Sequence, residues 1–155
     1  MAHVEQETMI DAPVGAVFRA LVEPETATAW LVNLEDVRNV TGHDVGSSYD
    51  WTFNMVGRLS FKGKNVFTDI IPNERVRYES SGGITSAWDW QLTPTPDGGT
   101  SVHVTVDYTV PGSVLGALAD KLFIERQNEK DLRQSLENLK RLLESEHREE
   151  RTVSG

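Results

Sequence analysis

A chain of 155 residues, 38% apolar and 25% charged, can close one hydrophobic core and is too short to be expected to hold a second domain. Its formal net charge of −9 repels phosphate backbones and anionic lipid surfaces, so no nucleic-acid partner is expected, and no apolar run approaches the ~20 residues of a membrane-spanning helix, so no stable membrane insertion is expected either. The absence of cysteine excludes a disulfide scaffold and a thiolate metal site, and without an export-type N-terminal segment a cytoplasmic protein is expected.

The opening stretch "HVEQETMIDAP" alternates and reads as a strand. Helical spacing follows at Val14, Val17, Phe18 and Leu21, with Asp11 and Pro13 as start signals. Pro24 ends that helix and leaves room for a short second one, roughly Glu25 to Leu31. From Leu34 to Val110 the pattern is β throughout, and five breaks ("TGHDVGSS", "NMVGR", "IIPNE", "SSGG" and "PTPDGG") imply six strands. The loops are too short for crossover helices, so the seven predicted strands form an antiparallel sheet. "VPGS" ends it, Ser113 can cap, and a long helix is predicted to run to about Ser145; "EHREERTVSG" lacks an apolar stripe, which makes 146–155 an expected flexible tail after a single domain over 1–145.

That long helix interrupts its own apolar face. Leu115, Leu118, Leu122, Leu132, Leu136, Leu139 and Leu143 fall on one stripe in steps of three and four where it is continuous, and the positions missing from it are Glu125 and Glu129, within "ERQNEKD". If the stripe faces the sheet along its whole length, two carboxylates look into the protein and need water or a partner. If the helix bends or rotates, the segment is a solvated face. Both readings stay open from the residues alone.

Strand, two helices, six strands and a long helix: "MIDAPVGAVFRAL", "TDIIPNERVRYES", "WDWQLTPTPDGGTSVHVTVDYTVPG" and "LRQSLENLKRLLE" give the chain a resemblance, over residues 3 to about 145, to the START/Bet v 1-like (SRPBCC) superfamily, in its polyketide cyclase/dehydrase and lipid-transport branch. The resemblance implies an α+β helix-grip fold, a seven-stranded antiparallel sheet curled around a long C-terminal helix with two short helices after the first strand. It also implies a deep pocket between sheet and helix.

Alternation assigns the inner face. Trp51, Phe53 and Met55 share one side of their strand, as do Phe61 and Phe67, Val76 and Tyr78, Trp88, Trp90 and Leu92, and Val102, Val104, Val106 and Tyr108; Lys62, Lys64, His103, Thr105 and Asp107 fall outside. Candidate ligand-binding residues are Trp51, Phe53, Met55, Phe61, Phe67, Tyr78, Trp88, Trp90, Tyr108, Leu118, Leu122 and Glu125. Loop parity groups "NMVGR", "SSGG" and "VPGS" at one end, where a portal formed by Met55, Val56, Leu115, Leu118 and Leu122 is expected.

Chemistry is sparse. His3, His43, His103 and His147 show no metal-ligand spacing, and GxSxG, P-loop and GxGxxG motifs are absent, so neither metal nor cofactor is expected. Glu125, Glu129, Tyr78 and Tyr108 are the candidate catalytic acid/base set, with Gln6, Thr8 and Asn65 as neutral donors. The similar aromatase/cyclase enzymes bring arginine or histidine into the pocket, and the inward faces here carry neither. The expected function is therefore to carry or sequester a hydrophobic small molecule (a lipid, quinone, sterol or polyketide), with a cofactor-independent polyketide cyclase/dehydratase as the alternative. Monomer and homodimer both remain open.

Overall fold

A computed structural model describes the backbone of residues 2–55, 59–109 and 121–154, and the side chains of 2–54, 60–109 and 124–149. Strand β1 (Ala2–Ile10) is followed by helix α1 (Val14–Val22) and a 3-10 helix (Pro24–Ala29). Six strands come next: β2 (Leu34–Arg38), β3 (Ser48–Met55), β4 (Leu59–Ile71), β5 (Arg75–Gly82), β6 (Thr85–Pro94) and β7 (Thr100–Thr109). Helix α2 (Lys121–Ser154) closes the described chain. The predicted element order stands, and the sheet is antiparallel and seven-stranded in the order β1-β7-β6-β5-β4-β3-β2. Because β1 and β2 occupy opposite edges, the two short helices must carry the chain from one side of the curl to the other.

Alternation places the core as expected. Val102, Val104, Val106 and Tyr108 of β7 are buried, as are Trp90 and Leu92 of β6 and Val76 and Tyr78 of β5. They face Leu132, Leu136, Leu139 and Leu143 of α2. In α1 the buried residues are Val17, Leu21 and Val22.

Three local features differ from the sequence reading. Pro13 itself is the N-cap of α1 and no side chain caps that helix; the Asp11 backbone N–H instead donates to Glu144 of α2 (2.8 Å), whose carboxylate also pairs with Lys140 (2.6 Å). Helix α2 runs past Ser145 to Ser154, through the segment expected as a tail. No glycine or proline lies between those residues, and glutamate and arginine favour helix. Finally, β4 carries a bulge: Phe67 pairs with Tyr78, Asp69 with Arg77 and Ile70 with Val76, so Thr68 is the extra residue and the inward parity changes there. The expected helix start at Ser113, and Leu115 and Leu118, lie outside the described residues.

The outer face of the sheet is polar. Asp89 of β6 accepts a two-pronged pair from Arg75 (Nε 2.9 Å, Nη2 2.6 Å), and that guanidinium holds its carboxyl below the ordinary value of 3.8 despite partial burial. On the β1/β7 surface His3 contacts Asp107 (2.7 Å) and His103 contacts Glu5.

The Asp89 shift makes stability depend on acid. A folded-state value below the unfolded one adds stability that is fully present above 3.8 and is lost as pH falls through the lowered folded value. Urea unfolding of Asp89→Asn should therefore show a smaller loss of stability between pH 6 and pH 3 than the parent chain shows. Equal losses would mean that the pair is screened to no effect.

Candidate site: an aromatic cavity under the long helix

The aromatic residues of the inner face form a connected series. Tyr49 and Phe67 lie 6.1 Å apart, Phe67 meets Tyr78 edge-on at 6.0 Å, and Tyr78 stacks on Trp88 at 5.6 Å. Trp88 stacks on Trp90 at 6.1 Å, and Trp90 meets Trp30 edge-on at 5.7 Å. Strand pairing explains the order, since Phe67 is opposite Tyr78 and Tyr78 opposite Trp88 in adjacent strands.

Between this face and α2 lies a cavity of about 120 Å³. Trp51, Phe53, Tyr78, Trp88 and Tyr108 line it, whereas Phe67 and Trp90 are fully buried behind them and Phe61 is half-buried to one side. Met55 and Leu122 have side chains outside the described set, and Val56, Leu115 and Leu118 lie outside the described residues. From the helix the lining is Asn128, Asp131, Leu132 and Ser135. Glu129 is exposed and Glu125 half-buried, and neither is among the lining residues. Gln6 and Thr8 are half-buried on β1 and do not line the cavity either.

Across the interruption the buried or cavity-lining positions are Ile124, Asn128 and Asp131, on the flank beside the leucine stripe and not on its line of extension. Tyr49, Ser80, Ile84, Ser86 and Val106 also line the cavity. Strand parity carried the signal for Tyr49, which precedes Trp51 by two on β3.

Polar groups in the wall mostly satisfy one another. The Trp51 indole N–H donates to Asn65 Oδ1 (3.1 Å), and Asn65 Nδ2 donates to the Tyr49 hydroxyl (2.6 Å). Burial pushes the Tyr49 phenol up to about 12. The Trp90 indole donates to the Tyr78 hydroxyl (3.1 Å), and burial, aided by Tyr49, raises the Tyr78 phenol well above 10. Ser86 accepts from Trp88 (3.0 Å) and shares a short bond with Ser80. The Tyr108 hydroxyl differs: it is buried with no partner in hydrogen-bonding geometry among the described residues, although the Asn128 amide lies close enough to favour its ionised form slightly against the burial that raises it.

A clasp holds the helix at its distance from the sheet. Asn33, in the left-handed conformation at φ 71°, donates to Asp131 Oδ2 (2.9 Å), and Gln127 donates to Oδ1 of the same carboxylate (2.9 Å). The Val32 N–H donates to Ser135 Oγ (2.9 Å), which donates in turn to the Asp131 carbonyl (2.8 Å). Asn138 Nδ2 donates to the Trp30 carbonyl (3.2 Å). Opposite this clasp Trp51 lies flat across Gly63, where a Cβ would stand 2.3 Å from the ring and 2.4 Å from the Ser81 carbonyl.

Both features predict losses. Ser135→Ala leaves the Val32 N–H without its acceptor and should lower stability by about 1–2 kcal/mol in chemical denaturation. Gly63→Ala must displace the Trp51 ring, and should shift and broaden its indole N–H resonance; an unchanged indole signal would count against the ring-over-glycine packing.

The matched family model is that of polyketide cyclase/dehydrase and lipid transport, over residues 1–144. Among solved structures the chain is similar to TTHA0849 from Thermus thermophilus (21% identity, 90% of this chain and 95% of that one, TM-score 0.75). It is also similar to protein CV1439 from Chromobacterium violaceum (20% identity, 93% and 99%, TM-score 0.71). A third is the Aha1 dimer from Colwellia psychrerythraea (20% identity, 93% and 97%, TM-score 0.65). No curated protein matches the sequence significantly. At these identities the structures speak for the fold, and the family model for membership: the chain belongs to the polyketide cyclase/dehydrase and lipid-transport family of the SRPBCC superfamily.

Proposed function

We propose that the protein carries or sequesters a hydrophobic small molecule in the cavity between sheet and long helix. One observation supports this above the others: a cavity of about 120 Å³ walled by Trp51, Phe53, Tyr78 and Trp88 that the described side chains leave open. Interiors are close-packed, so a recess of this size lined by rings departs from ordinary core packing. Such a space, with most polar wall groups paired among themselves, suits an apolar guest. The family name includes lipid transport, which agrees, and a lipid, quinone, sterol or polyketide is the expected class. Ser80, Ile84 and Ser86, around the β5–β6 turn, line the cavity at the end where the portal is expected.

Cyclase or dehydratase chemistry has less support. The Tyr78 hydroxyl is occupied by Trp90, and a phenol raised well above 10 is a reluctant proton donor at neutral pH. Glu129 is exposed and Glu125 is not among the lining residues.

The test is native mass spectrometry of the purified protein, with solvent extraction of any adduct, followed by titration with a fluorescent apolar probe. Val106→Phe adds a ring at a buried lining position and should abolish probe binding while leaving the near-ultraviolet circular dichroism native. Full probe binding by a folded Val106→Phe variant would place the ligand elsewhere.

A further inference from the structure

Among the described residues, three buried side-chain polar atoms lack a hydrogen-bond partner: Trp30 Nε1, His147 Nδ1 and the Tyr108 hydroxyl. Of these residues Tyr108 alone lines the cavity, and it is 7% exposed. Leaving a buried hydroxyl unpaired is costly, so a polar atom of a guest is the natural partner for it.

The charge around that hydroxyl restricts the guest. None of the described lining residues is lysine, arginine or histidine. Asp131 is the single charged group among them, and both of its oxygens already accept from Asn33 and Gln127. Burial raises the Tyr108 phenol, the Asn128 side chain opposes that shift, and the charges of Glu125 and Glu129 add to it. An anion placed here would be desolvated without a counter-charge and repelled as well. An ammonium ion would have to shed its water in an apolar recess whose single described charged lining group, Asp131, is already hydrogen-bonded by Asn33 and Gln127.

Taking the cavity as the ligand site, as proposed above, we propose that it selects an uncharged, ring-bearing ligand that presents one carbonyl or hydroxyl oxygen to Tyr108, and that it rejects carboxylates, phosphates and ammonium ions of the same shape. The aromatic lining of Trp51, Phe53, Tyr78, Trp88 and Tyr108 favours a ring-bearing body. Within the broad class of hydrophobic guests, free fatty acids and phosphate-bearing lipids are thereby disfavoured.

The experiment uses four probes with one ring system: 2-ethylnaphthalene, 2-acetylnaphthalene, 2-naphthoate and 2-naphthylmethylammonium. Each is titrated at pH 7 into the full ¹⁵N-labelled chain and into Tyr108→Phe. The ketone should bind the parent chain about tenfold or more tighter than either ion. Tyr108→Phe should weaken the ketone about fivefold, the worth of one hydrogen bond, and leave 2-ethylnaphthalene unchanged. Without ligand, the variant should melt at or above the parent's temperature, because the hydroxyl it loses had no partner. An ion binding as tightly as the ketone, a ketone indifferent to Tyr108→Phe, or a lower melting temperature would each overturn the selection rule. If 2-ethylnaphthalene still binds in those cases, the carrier reading survives. Absence of binding by all four would overturn both.

Discussion

The cavity depends on a clasp between the loop at Trp30–Asn33 and one face of the long helix. Asp131, Ser135 and Asn138 repeat at helical spacing and receive or supply the hydrogen bonds of Asn33, Val32 and the Trp30 carbonyl. These contacts fix the helix by its polar flank while Leu132, Leu136, Leu139 and Leu143 seat its apolar flank. A helix held on two flanks cannot settle onto the aromatic face as well, and the space that remains is the cavity. Breaking the clasp would release the backbone N–H of Val32 and the carboxylate of Asp131 together, so these polar groups tend to stay or leave as a set.

The opposite wall is rigid for a related reason. Trp51, Asn65 and Tyr49 are bonded in sequence across β3 and β4, and Trp90 is bonded to Tyr78 across β6 and β5. Each buried indole N–H or hydroxyl in these pairs would be expensive alone, and together the bonds hold the rings in place against one another. Gly63 makes the arrangement possible on β4, because any side chain there would occupy the place of the Trp51 ring. The polar groups of this wall are thus mostly turned to one another, with Tyr108 as the exception.

Much of this was legible in the chain. Strand parity placed Trp51, Phe53, Tyr78, Trp88 and Tyr108 on the inner face, where they line the cavity. The same parity carries Tyr49, and the breaks at "IIPNE" and "SSGG" set the hairpins. Other features were not legible. The bulge at Thr68 shifts inward parity late in β4, and no residue there announces it. Asn128 and Asp131 lie on the flank of α2 that meets Val32 and Asn33, beside the leucine stripe, so a stripe drawn through the leucines misses them. Phe67 and Trp90 belong to the same aromatic set as the lining residues, and only the depth of packing separates them.

By itself, the sequence determined the element order, the antiparallel sheet, its aromatic inner face and the family, because these follow from short-range periodicity and turn chemistry that neighbouring residues carry. Tertiary structure decided which of those rings face open space and which polar groups close on each other. It also decided that the helix presents Asn128 and Asp131 to the cavity and leaves Glu129 exposed. Those outcomes rest on contacts between residues a hundred positions apart, such as Val32 with Ser135 and Asn33 with Asp131, and no local pattern encodes the distance at which two such surfaces come to rest.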